Sequence, residues 1–111
     1  MPRNYQVYFE DILNAITNIE KYTEGLSFKE FSVNSLVRDA VIRNLEVIGE
    51  AVKDLPEEVR RKIPGVNWRR IAGLRDILIH RYFEVDVEIM WDVIRSELPV
   101  LKSSISASLT K

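Results

Sequence analysis

The 111-residue sequence contains no cysteine and a single histidine. A chain without cysteine forms no disulfide and no thiolate metal site, and this composition fits a reducing compartment. One imidazole with no paired Asp/Glu motif beside it offers too few ligands for a zinc or di-metal centre. We therefore expect no metal ion and no cofactor, so any catalysis would depend on ordinary side chains.

Several other signals are absent as well. No apolar run approaches the ~20 residues of a membrane span, and the polar start MPRNYQ lacks the apolar core of a signal peptide. The sequence has no Gly-rich phosphate loop and no nucleophile elbow of the kind that Ser/His/Asp hydrolases use. These absences predict a cytoplasmic protein without membrane contact, and they argue against phosphate-loop enzymes and serine hydrolases.

The composition is that of one globular domain covering residues 1–111, with 46% hydrophobic and 30% charged residues. The net charge is only −1, but its distribution is uneven. Residues 53–81 carry 8 basic and 4 acidic side chains. This positive stretch would draw an anion towards the residues at its end. The alternative is that it is simply a solvated, arginine-rich helix surface.

Apolar side chains at three- and four-residue intervals predict an all-helical chain. The predicted helices cover about 4–24, 33–55 and 56–63, a stretch that Asn67 caps, and a last stretch from about Asp86 that Pro99 kinks. Residues 26–32 are predicted to be a connection with at most one turn at Phe28–Phe31. We expect an all-α antiparallel four-helix bundle with an additional short helix.

The predicted helix over 33–55 has one main apolar face and a weaker apolar strip beside it. The main face holds Leu36, Val37, Ala40, Val41, Val47, Ile48 and Ala51, and the weaker strip holds Ile42, Leu45 and Gly49. Trp68 and Trp91 fall in register with apolar neighbours. We therefore expect both tryptophans to be core residues rather than platforms for stacking bases.

Reactive groups concentrate in one segment, RDILIHRY, at residues 75–82. Arg75 falls in the middle of an apolar helix face, where a guanidinium needs a partner or a water-filled cleft. Taken alone, it is read most simply as a structural residue that pairs with a carboxylate of the second predicted helix: Asp39, Glu46 or Glu50. Taken alone, His80 is read most simply as a capping or surface residue near a helix end.

Helix geometry places Arg75 and His80 about 140° apart, so they do not share a face. Asp76 and His80 are one turn apart, and Asp76 could orient the imidazole and stabilise its cationic form. For Arg75 and His80 to act on one phosphate, either the helix loosens near its end or a second copy of the chain supplies one group. Ile77, on the side that should be polar, favours a symmetric contact between two such helices.

An imidazole and a guanidinium near one phosphodiester would best support RNA cleavage without a metal ion. His80 could take a proton from a ribose 2′-OH or give one to the leaving 5′-oxygen. Arg75 could hold the phosphate and neutralise the charge that develops on it. DNA lacks the internal nucleophile and should resist this route.

The spacing Arg75-x4-His80-x-Tyr82 resembles the R-x4-H-x-Y signature of HepT-like toxins, a family of the HEPN superfamily of helical bundles. The blocks AVIRNLEVIGEA at 40–51 and PGVNWRRIAGLRD at 64–76 also resemble that family, in the same order. The resemblance implies a homodimeric, metal-independent ribonuclease, the toxin of a toxin–antitoxin pair, with Arg75 and His80 as the catalytic pair.

The resemblance also implies a partner, a minimal nucleotidyltransferase antitoxin that transfers AMP to the tyrosine at position 82. A bulky anion on Tyr82 would fill the cleft that RNA must enter. The residue after the arginine is commonly asparagine in this family and is Asp76 here, which could weaken phosphate binding or tune His80. Two other interpretations stay open: a non-catalytic subunit that binds a nucleotide or the nucleotidyltransferase, and a helical dimerisation module in which Arg75 completes an interior ion pair.

Overall fold

The computed structural model describes the backbone of residues 5–80 and 87–109 and the side chains of residues 5–74 and 87–109. Within these ranges the chain is helical and contains no strand, which confirms the predicted all-α class. The helices are α1 (Gln6–Thr23), α2 (Phe28–Val33), α3 (Ser35–Asp54), α4 (Glu57–Arg61), α5 (Trp68–His80), α6 (Val87–Asp92) and α7 (Leu98–Leu109), with a π-helical segment, Val93–Glu97, between α6 and α7.

Local polar side chains set the boundaries between the first three helices. Gly25, with φ of 76°, follows the end of α1 in the left-handed conformation that glycine adopts readily. Ser27 Oγ accepts from Glu30 N at 3.1 Å while Glu30 Oε1 accepts from Ser27 N at 3.0 Å, so a capping box starts α2. The segment predicted as a connection therefore contains a true helix. Asn34 then caps α3 by accepting from Val37 N at 3.1 Å.

Helix α3 lies between α1 and α5, so more of its circumference is covered than the sequence suggested. The predicted weaker strip of Ile42, Leu45 and Gly49 is buried. Leu36, predicted to lie on the main buried face, is instead 81% exposed. Val41, Ile48 and Ala51 of the predicted main face are buried as expected. The prediction underestimated the strip because it assumed one covered face, whereas packing against both α1 and α5 widens the buried arc.

Helix α5 starts where the sequence predicted. Asn67 Oδ1 accepts from Arg70 N at 3.1 Å, which confirms the N-cap. Trp68 Nε1 donates to the carbonyl of Ile63 at 3.2 Å, so the indole joins the start of α5 to the end of the preceding turn. Trp68 and Trp91 are both half-buried and pack against the core, in agreement with their predicted structural role.

The C-terminal part of the chain differs from the single kinked helix that was predicted. Before Pro99 the chain widens into the π-helical segment, and Leu98 N donates to the carbonyl of Val93, five residues earlier. Proline has no N–H to give to the carbonyl four residues before it, so a regular α-helix would leave that acceptor unsatisfied. The interruption was predicted; its form was not.

No helix in the described ranges combines the length and apolarity that a bilayer crossing requires.

Candidate active site

Helix α5 carries Arg75, Asp76 and His80, three of the residues that the sequence singled out. Its first half is fixed by the Asn67 cap and by Ile71 and Leu74, which are 1% and 3% exposed in the core. The helix packs along α3 and continues without a break to His80. The backbone of Arg75, Asp76 and His80 therefore belongs to one regular helix, anchored at its N-terminal half.

An unbroken helix fixes where these backbone positions lie relative to one another. The Cα atoms of Arg75 and His80 are separated by about 140° around the axis and by about 7.5 Å along it, and those of Asp76 and His80 by about one turn. The first of the two possibilities above, a helix that loosens before His80, is not what the backbone shows. One α5 helix does not bring positions 75 and 80 to the same side.

Several predictions fall on side chains or residues outside the described part. The partner of the Arg75 guanidinium, expected to be Asp39, Glu46 or Glu50, involves a side chain beyond that part, and so does the expected exposure of Ile77. Tyr82, the candidate modification residue, lies wholly outside the described residues. These predictions stand as they were made.

A charged cluster that sequence reasoning missed joins α5 to the C-terminal helices. Arg70 Nη2 lies 2.9 Å from Asp92 Oδ2, and Arg70 Nη1 lies 2.9 Å from Glu97 Oε1. Ser96 Oγ also donates to Asp92 Oδ1 at 3.2 Å. No sequence signal indicates this cluster, because in an α-helix positions 92 and 97 would lie about 140° apart and would not share a partner.

The hydrogen bond to Asp92 is the main reason that the pKa of Arg70 lies above the usual arginine range, and Glu97 adds to the shift. The Arg70 guanidinium is thus committed to carboxylates and is not free to bind an anion. Arg61 is likewise paired with Glu57 at 3.1 Å. Of the positive stretch, Arg69 is exposed and makes no ion pair with the described residues, so it contributes to the field that attracts an anion.

An open groove of about 860 Å³ lies elsewhere on the molecule. It is lined by the C-terminal part of α1, the connection to α2, and Ile94, Arg95 and Pro99. None of its lining residues belongs to α5. Its wall carries glutamates as well as Lys21 and Arg95, so it lacks the positive surface that a nucleic acid would require. We do not assign it to the predicted chemistry.

Across the parts of the chain with described side chains, no group of three or more His, Asp or Glu residues is arranged to hold a metal ion.

Comparisons with known proteins bear on the chain as a whole. The model of the ribonuclease HepT-like family matches residues 12–108. A protein of Thermococcus cleftensis named probable ribonuclease HepT is 43% identical over 102 residues, which cover 92% of this chain and 93% of that protein.

Two further relatives have names that assign them provisionally to the RNases. One, from Caldanaerobacter subterraneus subsp. tengcongensis, is 42% identical over 104 residues, which cover 94% of this chain and 93% of that protein. The other, from Methanocaldococcus jannaschii, is 36% identical over 103 residues, which cover 93% of this chain and 94% of that protein. No solved structure matches the chain significantly. Because the family match and the relatives extend over nearly the whole sequence, this chain belongs to the HepT-like ribonuclease family.

Proposed function

We propose that this protein is a metal-independent endoribonuclease whose catalytic pair is Arg75 and His80. The observation that carries the proposal is the continuity of α5 through both positions, on a helix anchored by its cap and by buried Ile71 and Leu74. The helix thus holds an imidazole-bearing and a guanidinium-bearing position at a fixed spacing. Arg69, which is exposed and forms no ion pair with the described residues, supports attraction of a polyanion to the same helix.

In the proposed reaction, His80 removes the proton from a ribose 2′-OH, and the 2′-oxygen attacks the adjacent phosphorus. The bond from phosphorus to the 5′-oxygen breaks, and that oxygen receives the proton that His80 took from the 2′-OH. The products are a 2′,3′-cyclic phosphate and a 5′-hydroxyl end. Arg75 neutralises the charge on the phosphate oxygens, and Asp76 orients the imidazole of His80.

The proposed active form is a homodimer of antiparallel four-helix bundles, in which α1, α3, α5 and the C-terminal helices are the main elements. The 140° separation of positions 75 and 80 supports a dimer, because one copy would supply the arginine and the other the histidine at each phosphate.

The biological role that fits this chemistry is the toxin of a toxin–antitoxin pair acting on RNA in the cytoplasm. Its partner would be a minimal nucleotidyltransferase that binds ATP and transfers AMP to Tyr82. The phenolic oxygen would attack the α-phosphorus of ATP, and pyrophosphate would leave. The AMP group would place a negative charge next to the catalytic pair and repel the RNA backbone.

Cleavage of a single-stranded RNA in EDTA tests the ribonuclease. We expect the wild type to release fragments with 2′,3′-cyclic phosphate ends and to leave the all-deoxy analogue intact. Arg75→Ala and His80→Ala should abolish cleavage while retaining helical content and dimer mass, and Arg61→Ala should cleave normally. Dimerisation is read separately by light scattering. If the protein binds RNA or a nucleotide but does not cleave RNA even at high protein concentration, the ribonuclease proposal is wrong. The protein would then be interpreted as a non-catalytic binding subunit.

Incubation with a candidate nucleotidyltransferase and ATP tests the regulation. Intact mass should increase by one AMP group per modified chain, and Tyr82→Phe should abolish the increase. Modified protein should lose RNA cleavage in proportion to the extent of modification. An increase that persists in Tyr82→Phe would place the modification on another residue.

A further inference from the structure

The Arg70 cluster depends on the π-helical segment. Asp92 immediately precedes this segment and Glu97 is its last residue. In an α-helix the two carboxylates would be about 140° apart around the axis. The i→i+5 bonding of a π-helix brings residues five apart to nearly one turn, so both carboxylates can face the same guanidinium. Arg70 thus bonds to both ends of the segment, at 2.9 Å each.

We propose that Arg70 is a positioning residue for the ribonuclease site, acting by locking α5 to the π-helical segment. This inference rests on the proposed function of Arg75 and His80. Arg70 lies five positions before Arg75 on the same helix, and a guanidinium held by two carboxylates fixes both the rotation of α5 about its axis and its position along it. A single ion pair would leave one of these motions free.

The burial pattern explains why α5 needs such a lock. Ile71 and Leu74 hold one side of the helix in the core, but apolar packing resists sliding and rotation less specifically than a pair of directed hydrogen bonds. The Arg70 side chain is 38% exposed, and of its two partners Glu97 is 18% and Asp92 53% exposed, so the bond to Glu97 is the better shielded from solvent. Its effect on Arg75 and His80 is transmitted through a continuous helix.

The mechanism requires that small displacements at positions 75 and 80 matter. Catalytic groups on two copies must meet at one phosphodiester, and a misplacement of about 1 Å can reduce the rate about 100-fold. Substrate binding through the general positive field is less sensitive to such a shift. Loss of the lock should therefore reduce kcat more than it raises KM.

Four variants test the proposal. Arg70→Met retains side-chain volume without charge, and Arg70→Lys retains charge but not the two-pronged geometry. The double variant Arg70→Glu with Glu97→Arg exchanges two partners. It again places one guanidinium, now at position 97, near two carboxylates, at positions 70 and 92. Arg61→Met is the matched control, because it removes an arginine from an exposed ion pair on α4.

We expect Arg70→Met to lower kcat by about 10- to 100-fold with KM changed less than about threefold, and Arg70→Lys to fall between it and the wild type. The exchanged double variant should recover most of the loss. Each variant is assayed where circular dichroism shows it to be folded. The proposal would be overturned if folded Arg70→Met had the same kcat as the wild type. It would also be overturned if Arg61→Met lost as much kcat as Arg70→Met.

Amide hydrogen exchange separates this inference from the ribonuclease itself. Exchange at residues 75–80 should be faster in Arg70→Met and unchanged in Arg61→Met. If the wild type does not cleave RNA, the proposed function fails, and unchanged exchange in Arg70→Met would then also refute the positioning role. If the wild type cleaves RNA and Arg70→Met does so equally well, only the positioning role fails.

Discussion

Asn18 on α1 and Asn44 on α3 form a half-buried amide pair, with Asn18 Nδ2 donating to Asn44 Oδ1 at 3.2 Å. Asn44 Nδ2 in turn donates to the carbonyl of Ala40 at 2.9 Å. These bonds occur where two long helices otherwise meet through aliphatic side chains such as Ile16 and Ile48, both fully buried. Apolar contacts allow two helices to slide along each other, whereas an amide pair forms its hydrogen bonds at one relative position only. The Asn18–Asn44 pair therefore fixes the position of α1 along α3.

Asn44→Ala should lower the free energy of unfolding by about 1–2 kcal/mol, because it leaves the Asn18 amide half-buried without its acceptor. Replacing both residues by alanine should lower it by less than the sum of the losses in Asn18→Ala and Asn44→Ala. Urea denaturation of the four proteins measures the coupling. Strict additivity would mean that the hydrogen bond does not contribute to stability.

The exposure of Leu36 predicts a contrast within α3. Leu36→Gln should change the free energy of unfolding by less than about 0.5 kcal/mol, because this side chain is 81% exposed. Leu45→Ala should lower it by about 2–5 kcal/mol, because Leu45 is fully buried. Thermal and urea unfolding both report these changes. A large loss in Leu36→Gln would indicate that another surface covers this residue, and its dependence on protein concentration would reveal self-association.

Gly25 and Gly73 predict opposite effects of the same substitution. A Cβ at either position would meet nothing within 4 Å, so only the backbone distinguishes them. Gly25 has φ of 76°, and alanine there should lower the free energy of unfolding by about 1–2 kcal/mol. Gly73 is helical, and alanine there should raise it by about 0.5–1 kcal/mol. Equal effects in urea denaturation would contradict the backbone explanation.

The α2 capping box predicts a pH dependence of stability. The bond from the Ser27 backbone N–H lowers the pKa of Glu30, and the Ser27 side chain lowers it further. A folded-state pKa below the unfolded one gives stability that is present above the unfolded value and disappears as pH falls through the folded value. Near neutral pH the urea midpoint of the wild type should be higher than that of Glu30→Gln. This difference should vanish at a pH well below the ordinary glutamate pKa of ~4.3. If the difference in urea midpoint persisted unchanged in acid, it would arise from the geometry of the side chain at position 30 and not from its charge.

Substitution of Asp76 distinguishes an effect on RNA binding from an effect on His80. Under the proposed function, Asp76→Asn removes a negative charge next to Arg75, so KM for RNA should fall several-fold at low salt and less at high salt. If Asp76 instead stabilises the cationic form of His80, the same change should shift the pH profile of kcat towards lower pH. Steady-state kinetics across pH and ionic strength separate the two effects. Asp76→Glu, which retains the charge, is the matched control.

Much of the helical organisation follows from local chemistry. The period of the apolar residues predicted α1, α3 and α5, and Asn67 predicted a helix start that the structure confirms, because a cap involves only residues adjacent in sequence. The capping box at Ser27 and Glu30 is equally local and would have identified α2. The motif at positions 75, 80 and 82 was also visible without coordinates, since it depends on spacing alone.

Only the tertiary structure decided the features that depend on which helices pack against a given helix. The sequence shows that α3 is amphipathic, but only its place between α1 and α5 decides that Ile42 and Leu45 are buried and Leu36 is not. It shows a proline at position 99, but not that the preceding turns widen enough for Asp92 and Glu97 to share Arg70. Periodicity is a property of one helix, whereas burial and ion pairing are set jointly by helices that are distant in sequence.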